Sequence, residues 1–379
     1  MTTFFVRQSG GSDANDGLTF ATAWATPQMG ADTAVADDLI LVASDGIYVL
    51  TTPVDLDTNA GSSPRNPIRW RGAGPLGQDD GSVVTLDGSG VSPAALGACM
   101  RTGSTAFVSS NVWFEGFRFT GGANRNWSCD GDQRGLLFVR CRFDNAVQDG
   151  FLFNAPNAFC SFVDCEFDNN GGDGVGPQTA SDGFRLFATN CSFHDNAIDG
   201  ISRVISISLQ GCWTYKNGGQ GVLSANVNPD VQIANCVFDA NIGNGLELTA
   251  ITVGGDHGLL LIQNNIISNN GGFGISFENA PVDGIIGNNL YFNNTSGNVS
   301  IDGISADTFA DFDTMGTSIV GDPQFLNTGA GTEDYRIPSS SPAFEAGFPP
   351  TFQRLGAPNF AHIGSSVPEA VDGGRIIGG

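Results

Sequence analysis

One motif recurs through the middle of the chain and limits what it can become. Cys141-Arg-Phe-Asp-Asn, Cys165-Glu-Phe-Asp-Asn-Asn, Cys191-Ser-Phe-His-Asp-Asn, Cys212-Trp-Thr-Tyr-Lys-Asn, Cys236-Val-Phe-Asp-Ala-Asn and Asn265-Ile-Ile-Ser-Asn-Asn follow one another at steps of 24, 26, 21, 24 and 29 residues. A glycine stands nine residues after every lead: Gly150, Gly174, Gly200, Gly221, Gly245 and Gly274. Phe117-Arg-Phe119 and Asn289-Leu-Tyr291 carry the pattern one unit further each way, at a step of 24. A unit this short cannot bury an apolar face alone, so it must stack on its neighbours to make a continuous core.

Each unit has a physical reading. Side chains of a strand alternate, so the lead residue and the one two further on share a side. Cys141/Phe143, Cys165/Phe167 and Cys191/Phe193 should face inward, and Arg142, Glu166 and Ser192 outward. The Asn-rich turn at Asn170, Asn196, Asn217, Asn241, Asn270 and Asn294 suits left-handed backbone, and Asn there can bond neighbouring amides. A short strand follows the glycine, as in Phe151-Leu-Phe153. Columns of Cys, Phe and Asn are expected along the stack. The eight cysteines include no C-x-x-C pair, so they read as small apolar core groups that stay thiols.

These motifs resemble the coils of pectate-lyase-like proteins. So does the opening Phe5-Val-Arg-Gln-Ser-Gly-Gly-Ser-Asp-Ala-Asn-Asp-Gly17, with Ala23-Trp24 and Asp38-Leu-Ile-Leu-Val42. Gly321-Asp-Pro-Gln-Phe325, Asp334-Tyr-Arg-Ile337 and Ser341-Pro-Ala-Phe-Glu-Ala-Gly347 resemble their closing coil. The resemblance implies an all-β, single-stranded right-handed parallel β-helix, and the handedness rests on it alone. Residues 1–50 are expected to form the N-terminal cap and first coil, 51–336 the β-helix coils, and 337–379 a closing coil with an irregular tail. Thr26-Pro27 suits an N-cap and first helical position, so a short capping helix is expected over Gln28 to Val35.

Stacked strands lie ~4.8 Å apart, so residues at equal offsets form outward columns. Three residues after each lead come Asp144, Asp168, His194, Tyr215 and Asp239, followed by Asn145, Asn169, Asp195, Lys216 and Ala240. Asp168, His194, Asp195, Tyr215 and Lys216, the sole lysine, form one expected patch with groups for general acid–base chemistry. The plain alternative is a solvated row of turn residues. Trp213, Tyr215 and Asp239 are the candidates for carbohydrate contact. Asp149, Asp173 and Asp199 form another column, with Gln220 and Asn244, where oxygen-only ligands suit Ca²⁺. Asp before Gly is also ordinary turn chemistry.

Resemblance to pectate lyases implies Asp-bound Ca²⁺ and an Arg or Lys base, for which Lys216 stands first and Arg185 or Arg203 second. Resemblance to polygalacturonases implies an Asp pair, a Gly-His-Gly and a basic triplet. Gly255-Asp-His257-Gly258 departs from that pattern.

The formal net charge is −23, from 39 acidic and 16 basic side chains, so no basic footprint for nucleic acid is present. No apolar run approaches the ~18 residues of a membrane span. An acidic surface favours a neutral or cation-bridged partner. No signal-peptide pattern follows Met1. Together with the resemblance, these points lead to an expected bacteriophage virion component, a tail appendage or decoration protein made in the host cytoplasm. Its expected partners are other virion proteins and host-surface polysaccharide, and a homo-oligomer, such as the trimer of similar spikes, is implied by resemblance. The alternatives are an extracellular polysaccharide lyase or glycoside hydrolase, and a bacterial surface adhesin.

Overall fold

A computed structural model describes residues 1–56, 65–93, 97–102, 111–130, 135–154, 158–178, 184–225, 230–249, 259–278, 284–305, 317–329 and 333–344. His257, the motif around it and the segment 345–379 lie outside the described residues. The chain winds through three strands per turn, so each strand pairs with its equivalent one coil away, in parallel. The first sheet runs from Thr3–Val6 through Phe159–Val163 to Gly284–Gly287 in 11 strands. The second runs from Ile47–Val49 through Glu166–Asp168 to Ile319–Val320, also in 11. The third forms two five-stranded runs, joined by single bridges through Val175, Ile201 and Val222. Among the described residues, Gly297–Ile301 pairs antiparallel with Ile304–Ser305, and Asn327 and Asp334 form an isolated antiparallel bridge.

The core is built from stacked inward columns. Phe143, Phe167 and Phe193 stack at 4.8 Å with near-parallel rings. Trp70, Phe114, Phe138 and Phe162 do so at 5.2–5.6 Å on the first sheet. Rings of different sheets meet edge to face, as Trp127 on Phe138 and Phe162 on Phe167, the geometry that the ring quadrupole favours. All eight cysteines are buried free thiols. The Cys141–Cys165–Cys191–Cys212–Cys236 column passes into Asn265 and Asn289, whose amides bond each other at 3.0 Å.

Each coil turns where two residues take left-handed backbone. One precedes the lead: Arg140, Asp164, Asn190, Asn235, Asn264 and Asn288, with Gly116 and Gly211 at the same position. The other closes the second-sheet strand: Asn145, Asn169, Asp195, Lys216, Ala240, Asn269 and Asn293, with φ between 52° and 56°. The left-handed residue therefore stands one position before the Asn column, where the sequence pattern had suggested the column itself. The column residues point inward instead. Asn170, Asn196, Asn217, Asn241 and Asn270, all buried, and the half-buried Asn294 form a chain of Nδ2–H···Oδ1 bonds of 2.9–3.0 Å. From Asn170 to Asn241, each Nδ2 also donates to a carbonyl of the previous coil, and each Oδ1 from Asn196 to Asn294 also accepts a backbone N–H.

The capping helix spans Pro27–Thr33. Thr26 is its N-cap by backbone, but its hydroxyl donates to Asp13 (2.9 Å) in place of capping the helix. Gly30 lies against Trp70 and Ile40, so the helix plugs the open end of the core where a side chain would clash. At the other end the chain behaves differently from the expected closing coil. After Ile319–Val320 it folds back, and Tyr335, Ile337 and Ala343, with Phe325 and Phe344, cover the outer face of the second sheet over Tyr215, Val237, Ile266 and Leu290.

A β-carbon disfavours left-handed backbone by about 1–2 kcal/mol, while Asn tolerates it. Ala240→Asn should therefore raise stability by about 0.5–1 kcal/mol, seen as a higher Tm. Asn217→Ala should lower stability by roughly 3 kcal/mol or more, because it strips several buried hydrogen bonds at once. Denaturant unfolding of both variants checks this pair.

Candidate active site on the outer face of the second sheet

Parallel pairing places the outward columns in register: Thr120, Asp144, Asp168, His194, Tyr215, Asp239 and Ser268. The neighbouring column reads Arg118, Arg142, Glu166, Ser192, Trp213, Val237 and Ile266. Charge alternates between the two. Arg118 grips Asp144 through Nε and Nη2 (3.0 and 2.5 Å), and Arg142 grips Asp168 through Nε and Nη2 (2.8 and 2.7 Å). Both aspartates are fully buried beneath these guanidiniums, which stay partly exposed. Asn145 and Asn169 donate to the same carboxylates, at 2.8 and 2.5 Å. Each guanidinium carries five N–H donors, and no partner of Nη1 is recorded for either among the described residues. The carboxylates raise the pKa of both arginines, so the charges are permanent.

Next along the face lies a three-residue relay. His194 Nε2 is 3.2 Å from Glu166 Oε1, and Nδ1 is 2.8 Å from Asp195 Oδ2. Burial alone would lower the His194 pKa, but the bonds to Glu166 and Asp195 outweigh it and hold the imidazole pKa above its ordinary 6.5. Glu166 is lowered in return, chiefly by the His194 bond. The contact thus favours the carboxylate form of Glu166 and the imidazolium form of His194. His194 also stacks on Tyr215, with centroids 4.4 Å apart and planes at 6°.

Beyond Tyr215 the face closes. Lys216 pairs with Glu333, 117 residues away, and Tyr335 rests on Tyr215 at 4.9 Å while its hydroxyl meets Asp239 at 3.3 Å. Asp239 further accepts from Ser268 (2.6 Å) and Asn269 (2.8 Å). Burial raises its pKa. Trp213, Tyr215 and Asp239, the residues considered for carbohydrate contact, therefore lie in or under the apolar cover made by the C-terminal segment. Lys216 is tied to that segment by its ion pair. Arg185 sits on the first sheet and Arg203 near the third, away from this face. Glu166, Asp168, His194 and Asp195 remain together, and Arg118, Arg142 and Glu333 join the patch.

Two groups bear on a bound cation. Glu166, Asp168 and His194 place one ligand atom each within 4.8 Å of the others. Both Asp168 oxygens already serve Arg142, and both imidazole nitrogens serve carboxylates. That donor set does not fit Ca²⁺, which takes six to eight oxygens. The Asp149, Asp173 and Asp199 column uses one oxygen of each carboxylate to bond the next coil. Asp149 Oδ1 accepts the Asp173 amide (2.9 Å), Asp173 Oδ1 the Asp199 amide (2.9 Å), and Asp199 Oδ1 the Gln220 amide (2.7 Å). The outer two are two rungs apart, ~9.6 Å at strand spacing, beyond the reach of one ion with metal–oxygen distances of about 2.3–2.6 Å. The column is a set of inter-coil braces.

Burial raises the pKa of all three carboxyls, and that of Asp173 rises from 3.8 to about 7. A raised folded pKa contributes stability below the unfolded value, and that stability is lost as pH climbs through the folded one. The same column carries the neutral Asn244, whose Oδ1 accepts the Phe273 amide at 2.6 Å. Asp173→Asn should keep the brace, raise Tm at pH 8 by a few degrees and flatten the fall in Tm between pH 4 and 8. Thermal melts across that range check it.

No known family profile matches the chain, and neither does any curated protein sequence. Among solved structures, the chain resembles pectate lyase Pel9A, with a TM-score of 0.62, 16% identity and 96% of both chains covered. It also resembles a rhamnogalacturonan lyase, with a TM-score of 0.54, 14% identity, and 87% of this chain and 91% of that one covered. Likeness at such identities is likeness of fold. Together with the three sheets of mostly parallel strands, it shows the fold to be a right-handed parallel β-helix like that of these two proteins.

Proposed function

We propose that this protein is a carbohydrate-active β-helix enzyme, a polysaccharide lyase working on the outer face of its second sheet. The observation that carries the reading is the Glu166–His194–Asp195 relay beside the pinned Arg118 and Arg142. β-Elimination in a uronate chain needs a fixed cation at the carboxylate, a base for the C5 proton and an acid for the departing oxygen. Arg142, and Arg118 one rung away, offer spare N–H donors for the carboxylate, which makes the C5 proton easier to remove. Glu166, held ionised, takes that proton. The C4–O4 bond breaks as the C4=C5 double bond forms, and His194 protonates O4. Asp195 orients the imidazole and stabilises its charged form.

The surface charge of −23 opposes a polyanion at long range, so the two arginines supply locally what the bulk charge withholds. The two structural neighbours named above are polysaccharide lyases and support this reading over a virion appendage. A virion appendage that binds a host-surface glycan would use the same open face.

The experiment is a panel of polysaccharides scored for unsaturated ends by ultraviolet absorbance and for reducing ends. We expect unsaturated products, with kcat/KM reduced about 10²–10⁴-fold in Glu166→Gln and in His194→Ala. The alkaline limb of the pH profile should lie above 6.5, because His194 must keep its proton. Reducing ends without unsaturation would make it a hydrolase. Silence on every glycan would remove the enzymatic reading.

A further inference from the structure

The second-sheet face is open over part of its length and sealed over the rest. At the N-terminal end Ile47 and Val49 are more than half exposed. From there the floor runs over Thr85/Asp87, Arg118/Thr120, Arg142/Asp144, Glu166/Asp168 and Ser192/His194, with no covering segment among the described residues. At the next rung, Trp213/Tyr215, the cover begins and continues over Val237, Ile266 and Leu290. It is an apolar, buried contact, pinned at its edge by Lys216–Glu333 and Tyr335–Asp239. The uncovered face therefore ends at one side against the cover, which stands directly beside the relay: His194 is one rung from Tyr215, and Glu166 two.

We infer that the C-terminal segment acts as a stop, so that the enzyme removes short fragments from one end of a glycan. The inference rests on the reading proposed above and adds the mode of attack. A glycan lying along the charged row meets no covering segment past Arg142 and Arg118 among the described residues. Toward the wall, the ~5–10 Å of two strand spacings holds about one or two sugar rings. A chain cut at Glu166 and His194 must then have its terminus against the edge of the cover, at the Lys216–Glu333 pair. The C-terminal segment sets product length, and the Lys216–Glu333 pair at its edge is what the terminal sugar meets.

The test follows products over time, using the full chain and a polymer that it cleaves, with a second sample labelled at the reducing end. One mono- or disaccharide product from the earliest time point, with viscosity falling slowly, supports the stop. A ladder of intermediate lengths with an early fall in viscosity overturns it while leaving the lyase reading intact. Absence of cleavage on any polymer removes both. Tyr335→Ala lowers the wall over Tyr215 and should add longer fragments to the products. Unchanged product length in that variant, folded by circular dichroism, also overturns the stop. If the variant does not fold, the wild-type product profile alone decides.

Discussion

Everything in this molecule depends on one coil finding the next in register. A coil of about two dozen residues has no core of its own, so the parallel pairing of each strand with its copy one turn away is the condition for folding at all. Two left-handed positions per coil make that pairing possible. They bend the chain at the same points each time, so Phe143, Phe167 and Phe193 arrive above one another at 4.8 Å. The Asn column then locks the spacing. An amide can donate up the stack and accept from below, and it is satisfied only when the neighbouring coil is neither shifted nor rotated. Asn170 through Asn294 thus act as a gauge for register as well as a source of stability.

The same repetition makes the outer face reactive. Stacking at a fixed spacing brings together side chains that are 21–29 residues apart in sequence, without any loop to position them. Like charges cannot be stacked freely, and the face resolves this by alternation: two arginines cover two buried aspartates, and an imidazole divides two carboxylates. The resulting groups are held rigidly by the sheet. Such preorganisation is what acid–base and electrostatic catalysis require.

Much of this was legible from residue spacing. The inward and outward sides, the thiol column and the proximity of Asp168, His194, Asp195, Tyr215 and Lys216 all follow from a period-two strand repeated at a fixed step, and the capping helix from Thr26-Pro27. Arg118 and Arg142 carried a readable signal too, since each stands two residues before a Thr or Asp of the outward column. Burial on that face was not legible. A strand pattern says which side a residue takes, and it cannot say whether anything lies on top. Tyr215, Trp213 and Asp239 look like exposed polar and aromatic candidates until Tyr335, Ile337 and Ala343 are seen above them. The left-handed residue was misplaced by one position for a related reason: an Asn-Asn pair does not announce which Asn bends and which turns inward.

The amino-acid sequence by itself determined a stacked β-coil with its columns of Cys, Phe, Asn and Asp, because alternation and period are local properties read directly from spacing. Only the tertiary structure decided which outward residues meet solvent. It did so by returning a segment more than a hundred residues away, Glu333 to Phe344, onto the second sheet, through an ion pair and an apolar contact between sequences that share no repeat. Non-local contact of that kind leaves no period to read, and it is what separates the open Glu166–His194–Asp195 relay from the buried half of the same column.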